Sequence, residues 1–301
     1  RPRRAPRGTS SSRTRGTSAG TSGTLHSLAR LSTDSPEGAS EWVQQAGGSG
    51  GGGAHQLSPA AGAGGGGEQA APEPARLWRR LRVEPRQLAQ LELNLRRWLH
   101  ATVLERVARE LDAADAALAG AGLAARLGAA PPARLQALAA GAGAGARRLR
   151  RLLPFLAPWP DQRYTVARVR ALAAGGCLAA YRWDAGGADW ERGRHPADAE
   201  LVLHLLAAYL EAVVPGGGFR AQHVSAAPAP PPPLAVHRVA APQPHYVLAL
   251  EGELLELPAG RHNLLHTLLL FLAAAARRDP PDLCRLHLGP AGLNMLWILG
   301  R

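Results

Sequence analysis

The segment YVLALEGELLEL, residues 246–257, decides the fold class of this chain. Two short apolar runs, 246–250 and 253–257, flank the dipeptide Glu251-Gly252, and a glycine in such a short connection is typical of a tight β-turn. A third strand-like run, AVHRV at 235–239, precedes them. The sequence therefore predicts a small antiparallel sheet in this part of the chain.

Helical periodicity lies on both sides of the predicted sheet. Before it, apolar residues recur at steps of three to five from Pro85 onward. Further helices are indicated at 131–153, with a break at the GAGAGA run, at 161–172 between an Asp161 cap and Gly175, and at 197–213. After the sheet, the pattern predicts a helix at 263–277. Helices first and a small antiparallel sheet near the C-terminus give an α+β architecture.

The C-terminal tail is predicted to contain two more strand-like runs, 286–288 and 293–299. The second run is apolar on both faces, and a strand of that kind belongs inside a structure, between a sheet and helices. We expect the helix at 263–277 to cover it. Trp297 should then be buried and should anchor the domain.

The first 76 residues have a different composition from the rest. Arginines lie among Ser, Thr and Gly, and glycine-rich runs follow, so this segment cannot bury enough apolar surface to offset its chain entropy. We therefore expect a disordered basic linker at 1–76 and a soluble α+β domain at 77–301. The chain begins at Arg1 rather than Met, which indicates a fragment or a processed form. Its longest apolar run, 264–276, is shorter than the ~20 residues of a membrane-spanning helix.

The formal net charge is +12, and all 35 basic residues are Arg. Such a charge attracts nucleic acid or an anionic membrane surface without a specific site. No basic groove with interleaved aromatic residues is evident, so specific nucleic-acid binding is not predicted.

The residue types needed for common catalytic sites are scarce. The predicted domain contains a single serine, Ser225, which leaves a Ser-His-Asp hydrolase without a placed nucleophile. Cys177 and Cys284 are far apart and form no metal knuckle, so we expect two reduced, mostly buried thiols. The glycines at 141–145 have helical sequence on both sides, whereas a phosphate-binding loop lies between a strand and a helix. We therefore predict no catalytic residues and no cofactor.

His262 and His266 are four residues apart on a predicted helix, a spacing that can bring two imidazoles together around a metal ion. The intervening sequence is HNLLH, without the Glu of an HExxH motif, and no carboxylate nearby offers a third ligand. We therefore expect His262 at the helix start, His266 half-buried, and no metal site.

Seven stretches resemble one family in matching order. They are NLRRWLHATVLERVARELD (94–112), DQRYTVARVRAL (161–172), GGCLAAYRW (175–183), RAQHV (220–224), PHY (244–246), LPAGRHNLLHTLLLFL (257–272) and LHLGPAGLNMLWILGR (286–301). Together they resemble the C-terminal domain of the transmembrane protein 209 family. The chain departs from that pattern at the GAGAGA run and at 226–234, which we expect to be variable loops.

The resemblance implies a protein with two membrane spans near its N-terminus, a disordered Ser-rich linker and a soluble C-terminal domain. Members are associated with the nuclear envelope and nuclear pores. The family also carries a domain name taken from the N-terminal part of cytochrome b561. Haem ligation in that class needs histidines on transmembrane helices, so the name predicts no haem here.

These observations favour a non-catalytic protein-interaction domain of a nuclear-envelope membrane protein, whose membrane spans lie upstream. Its partners would be proteins, with nuclear pore scaffold components as candidates. A basic nucleic-acid or chromatin tether and an enzyme of unknown type are the alternatives.

Overall fold

A computed structural model describes residues 73–120, 126–214, 216, 218–225, 233–239, 243–278, 282–283 and 286–301. All of them fall in one compact unit, Gly62–Arg301. The predicted disorder of residues 1–76 lies outside the described residues, apart from 73–76. Those four residues open helix α1 (Glu73–Arg80), which crosses the predicted domain boundary.

The apolar period that starts at Pro85 forms one long helical run. A 3₁₀ turn (Pro85–Gln87) leads into α2 (Leu88–Trp98), a π-helical segment (Leu99–Leu104) and α3 (Glu105–Gly120). Proline suits the first turn because the missing N–H has no helical partner there. The predicted apolar face is buried, which confirms this helix: it comprises Leu91, Leu95, Trp98, Val103, Val107 and Leu111.

The remaining helices of the first half also follow the predicted pattern. The run from 132 to 156 is interrupted at 141–143, giving α4 (Pro132–Ala140) and α5 (Ala144–Leu156). The predicted break is therefore confirmed. Helix α6 (Gln162–Ala174) begins where the Asp161 carboxylate accepts a hydrogen bond from the Tyr164 backbone N–H at 2.9 Å. Helix α7 (Asp198–Val213) follows after a long irregular segment.

A four-stranded sheet follows the short helix α8 (Phe219–His223). Its strands are β1 (Val224–Ser225), β2 (Leu234–Val239), β3 (His245–Leu250) and β4 (Glu253–Glu256), hydrogen-bonded in that order. Strands β2, β3 and β4 are antiparallel, as predicted. Glu251 and Gly252 both have positive φ, 53° and 87°, which is the backbone of a type I′ hairpin turn. Strand β1, parallel to β2, is too short for its periodicity to be seen in sequence.

Helix α9 (Asn263–Ala275) packs on β2, β3 and α2, which confirms the predicted helix after the sheet. Its first residue joins it to the sheet. The Asn263 side chain accepts from the Tyr246 backbone N–H at 2.7 Å and donates to the Tyr246 carbonyl at 3.1 Å. Both backbone groups of a strand residue are thereby satisfied by one amide.

Of the two strand-like runs predicted in the tail, the first is confirmed and the second is wrong. Leu286–His287 (β6) pairs with Asp282–Leu283 (β5), and residues 293–299 form no strand; Leu296–Leu299 are a 3₁₀ helix. Asn294 has φ of 52°, and the backbone N–H groups of Leu293, Met295 and Leu296 bond back to carbonyls of residues 287 and 288. The chain therefore folds over its own preceding turn and satisfies its backbone locally instead of joining a sheet.

Burial in the tail also differs from the prediction. Ile298 is fully buried, whereas Trp297 is only partly buried. The 3₁₀ helix packs mainly on α2 and also touches α9, so α9 alone does not cover it. Ile298 rather than Trp297 is the anchor of this segment.

One hydrophobic cluster extends through the described helices, the sheet and the tail. Strand β3 is buried along almost its whole length, because α9 and its neighbours cover it. None of the helices in the described ranges combines the length and the hydropathy that crossing a membrane requires.

Candidate functional site

The segment between α6 and α7, residues 175–197, has no regular secondary structure. Irregular loops of more than about 12–15 residues are uncommon in compact domains and usually serve a function. This loop is held in place by several buried polar contacts. Its ordered conformation makes it the first place to look for a binding surface.

The loop opens with three consecutive left-handed residues. Gly176, Cys177 and Leu178 have φ of 55°, 43° and 59°. This geometry is costly for residues with a side chain. It turns Leu178 into the core, where it is fully buried, and leaves Cys177 exposed. The expectation of a buried thiol is therefore wrong for Cys177, while Cys284 lies outside the described residues.

A buried ion pair holds the middle of the loop. The Arg168 guanidinium of α6 donates to both carboxylate oxygens of Asp198, the first residue of α7, at 2.7 and 2.6 Å. Arg168 also donates to the Ala180 carbonyl, and Asp198 accepts from the Arg182 backbone N–H. The hydrogen bonds to Asp198 raise the pKa of Arg168, so its positive charge is secure. This one ion pair therefore connects α6 to α7 and holds the backbone of two loop residues, Ala180 and Arg182.

The end of the loop is held by His195. Its Nδ1 accepts from the Glu191 backbone N–H at 3.1 Å, so its Nε2 carries the proton that is donated to Asp161 at 3.1 Å. The imidazole also stacks on Tyr164, with ring centroids 4.1 Å apart. The hydrogen bond from the Tyr164 backbone N–H, followed by that from His195, lowers the pKa of Asp161. Both ring nitrogens of His195 are therefore engaged.

Gly186 is required for close packing beneath the loop. A Cβ on this residue would lie 1.9 Å from the Tyr164 hydroxyl and 2.7 Å from the Trp190 ring. Trp190 itself donates from Nε1 to the Pro196 carbonyl at 3.1 Å. The glycine lets the backbone pass under the indole and fixes its position.

These contacts wall a surface cleft of about 360 Å³. Two tryptophans and three arginines contribute to its lining, together with two carboxylates: Trp159, Trp190, Arg192, Arg194, Arg238, Asp184 and Glu200. Arg238 pairs with Glu200 at 2.5 Å, and Arg194 pairs with Glu191 at 3.2 Å. Within the described residues Arg192 has no carboxylate partner, and its guanidinium lies 6.0 Å from the centroid of the Trp190 ring. The cleft therefore presents an unpaired cation beside an indole.

Sequence reasoning did not find this cleft. Its lining comes from separate parts of the chain: Trp159, Asp184, the stretch from Trp190 to Glu200, Arg238 and Pro244. The basic ERGRH run after Trp190 is the sequence signal that could have indicated it.

A second polar cluster joins α2 to α9. His262 lies just before α9, and His266 lies one turn further on, partly buried, as predicted. Both imidazoles reach the same oxygen of Glu92: His262 Nδ1 at 2.7 Å and His266 Nε2 at 3.1 Å from Oε2. The other oxygen, Oε1, accepts from Arg96 at 2.9 Å. The expectation that no carboxylate accompanies the two histidines is therefore wrong, because α2 brings in a third ligand-type group.

Glu92 is only 7% exposed, yet it is ionised. Burial opposes its ionisation, but the hydrogen bonds from His266, Arg96 and His262 and the charge of Arg96 outweigh that effect and lower the pKa of Glu92 to about 2. Trp78 packs its ring edge-on against His266, with centroids 5.6 Å apart. The cluster is thus a charged group held on the edge of the core.

The pair does not fit a bis-histidine haem. Such a haem needs imidazoles on opposite faces of the porphyrin. His262 and His266 lie on one helix face, with rings 23° from parallel and centroids 5.3 Å apart. These two histidines therefore cannot flank a haem iron.

Of the glycines at 141–145, Gly141 and Gly143 lie between α4 and α5, and Gly145 lies in the first turn of α5. A phosphate-binding loop requires a strand before the glycines. The prediction that helices lie on both sides of this run is confirmed.

Comparison with known proteins identifies a family and curated relatives. The family model described as "Cytochrome B561, N terminal" matches residues 59–300. An uncharacterized protein of Caenorhabditis elegans, B0464.6, is 27% identical over 185 residues, which cover 49% of this chain and 29% of the worm protein. The chain thus spans less than a third of that relative, and no solved structure matches it. Because the family model covers most of the sequence, including every motif of the transmembrane protein 209 resemblance, the chain belongs to the cytochrome b561 N-terminal family.

Proposed function

We propose that residues 77–301 form a non-catalytic protein-interaction domain of a nuclear-envelope membrane protein, and that the cleft beside the 175–197 loop binds an acidic segment of a partner protein. The resemblance to the transmembrane protein 209 family supports the setting. It makes nuclear pore scaffold components the first partners to test. In such a protein the membrane spans would precede this sequence.

The cleft is the observation that carries the proposal. Tryptophan and arginine are the residue types most often found at the energetic centres of protein interfaces. Trp190 is held in place by its bond to Pro196, so little conformational entropy is lost when a partner packs on it. Arg192 is exposed and lacks a carboxylate partner among the described residues. A partner carboxylate would supply that missing charge.

Two titratable groups of the cleft, His195 and Glu200, are engaged in structural contacts, which supports a non-catalytic role. Both ring nitrogens of His195 are bonded, to Glu191 and Asp161. Glu200 accepts from the Ala197 backbone N–H at 2.9 Å and pairs with Arg238. A general acid or base must be within reach of a substrate proton, and these groups already have partners.

Reversal of one charge tests the proposal. Arg192→Glu should weaken binding of a fluorescently labelled, glutamate-rich peptide by at least about tenfold, or roughly 1.4 kcal/mol. Arg134→Glu, at another exposed arginine that does not line the cleft, changes the net charge equally and should alter the affinity less than about twofold. Proximity labelling with the membrane-anchored full-length protein should detect the partner proteins of the cleft. Their labelling should be lost in Arg192→Glu and retained in Arg134→Glu. Equal losses in both variants would contradict a role for the cleft.

The net charge of +12 favours one alternative, a nucleic-acid tether. Titration of duplex DNA with the same two variants distinguishes a nucleic-acid tether from a protein-binding cleft. A tether held by diffuse charge should lose DNA affinity equally in both variants and should depend steeply on salt. Binding of an acidic peptide through the cleft predicts a loss confined to Arg192→Glu.

A further inference from the structure

We propose that Glu92, His262 and His266 form a binding site for a divalent transition-metal ion of the zinc class. The site is independent of the cleft and does not rest on its function. Its three groups come from α2, from the residue just before α9 and from the first turn of α9, and each offers one ligand atom. All three ligand atoms lie within 4.8 Å of one another.

The distances fit the ion. Zinc binds imidazole nitrogen and carboxylate oxygen at about 2.0–2.2 Å, which in a tetrahedral site puts ligand atoms about 3.3 Å apart. The Glu92 oxygen lies 2.7 Å from His262 Nδ1 and 3.1 Å from His266 Nε2. Small shifts of exposed side-chain atoms would therefore admit the ion. His262, whose side chain is 46% exposed, has the freedom to make them.

The orientation of the carboxyl group also fits. Arg96 holds Oε1 of Glu92 at 2.9 Å, so the other oxygen, Oε2, stays directed toward the two histidines. Such a contact to the far side of a ligand orients it toward the metal. Each imidazole would present to the ion the ring nitrogen that now faces Glu92. The ion then replaces two N–H donors to one oxygen.

The ligand set selects the ion class. Two imidazoles and one carboxylate suit zinc, and also cobalt, nickel and ferrous iron, better than calcium or magnesium, which prefer oxygen ligands. Three protein ligands leave a fourth position, and the partly exposed His262 lies on the solvent side of the cluster. A water molecule or a ligand from a partner can complete the coordination.

Metal binding would connect distant parts of the chain. Glu92 and His262 are 170 residues apart in sequence. An ion held by both helices stabilises only the folded state, so the melting temperature should rise with the logarithm of the free metal concentration once that concentration exceeds the dissociation constant.

The test uses the intact chain after dialysis against a chelator. Addition of Co²⁺ should give one bound ion per chain with the visible absorption of a tetrahedral site, and Zn²⁺ should displace it. His262→Gln should weaken binding of both ions by at least about tenfold. His287→Gln, at an exposed histidine outside the cluster, should leave the affinity within about twofold.

Two outcomes would overturn the site: no stoichiometric metal on the unmodified chain, or equal affinity in His262→Gln and the unmodified chain. A further measurement does not depend on how well a variant folds. In the unmodified chain, Zn²⁺ should shift the ring-nitrogen NMR signals of two histidines at once, and a chain whose histidine signals stay unchanged holds no such site.

Discussion

At the scale of residues, one buried ion pair, Arg168–Asp198, stabilises this fold. The Arg168–Asp198 pair has side chains only 8% and 0% exposed, and the same carboxylate also accepts from the Arg182 backbone. By contrast, the Asp112 side chain that pairs with Arg170 is 67% exposed. The two pairs share the same chemistry but differ in their contact with water, which screens only the second.

Asp198→Asn should therefore lower the free energy of unfolding by about 3–5 kcal/mol, because it leaves the Arg168 charge buried without its counterion. Asp112→Asn is the matched control and should cost less than about 1 kcal/mol. Urea unfolding of the three proteins measures both values. Similar losses of unfolding free energy in the two variants would show that the buried pair stabilises the fold no more than the exposed pair does.

His204 predicts a dependence of stability on pH. Burial, followed by the nearby Arg220 charge, lowers its pKa from 6.5 to about 4. Its Nε2 is hydrogen-bonded to the Phe155 carbonyl at 3.2 Å, and its ring packs edge-on against Trp159. Because the unfolded chain binds this proton more readily, stability is fully present above pH 6.5 and declines toward pH 4. The free energy of unfolding should fall by about 2–3 kcal/mol between pH 6.5 and pH 4.

Urea unfolding of the unmodified chain and of His204→Gln at several pH values tests this predicted loss of stability. The variant should lose less stability than the unmodified chain between pH 6.5 and pH 4. Burial also lowers the pKa of His223, so some dependence should persist in the variant. Parallel curves would exclude His204 as a source.

At the scale of elements, the 3₁₀ helix of the tail shows how a short segment is held by its neighbours. Leu296–Leu299 packs on α2, and the Asn94 side chain of α2 donates to the Ile298 carbonyl at 3.5 Å. Ile298 is fully buried, while Leu254 on strand β4 is 56% exposed. Strand β4 therefore keeps an aliphatic residue in water, and the tail buries one of nearly the same size.

Ile298→Ala should consequently cost about 2–5 kcal/mol, the range for truncation of a buried aliphatic side chain. Leu254→Ala should change the stability by less than about 0.5 kcal/mol. Chemical denaturation of the two variants compares them directly. A tail that merely rests on the surface would give Ile298→Ala the same small effect as Leu254→Ala.

At the scale of the whole molecule, one core connects the helical half to the sheet. Helix α2 touches both the tail and α9, and β3 is enclosed by neighbouring elements. The two candidate sites lie at the edges of this core. The cleft depends on the 175–197 loop, and the Glu92 cluster depends on the contact between α2 and α9.

The sequence alone determined the elements whose cause is local. Helical and strand periods, the Asp161 cap, the break at 141–143 and the Glu251-Gly252 turn each depend on a few adjacent residues, and each is present. Their backbone conformations follow from hydrogen bonds and steric limits within a short stretch of chain. The α+β class follows from their order.

Only the tertiary structure decided which distant residues meet. Glu92 meets His262 and His266 because α2 packs on α9. Burial of apolar side chains brings these helices together and does not depend on which polar residues lie beside the contact. The cleft likewise forms only when Trp159, the stretch from Trp190 to Glu200, and Arg238 come together. The tail became a 3₁₀ helix because its apolar pattern requires burial but does not specify the backbone that provides it. Hydrophobic burial is non-directional, so periodicity can show that a side chain is inside and cannot name its neighbours.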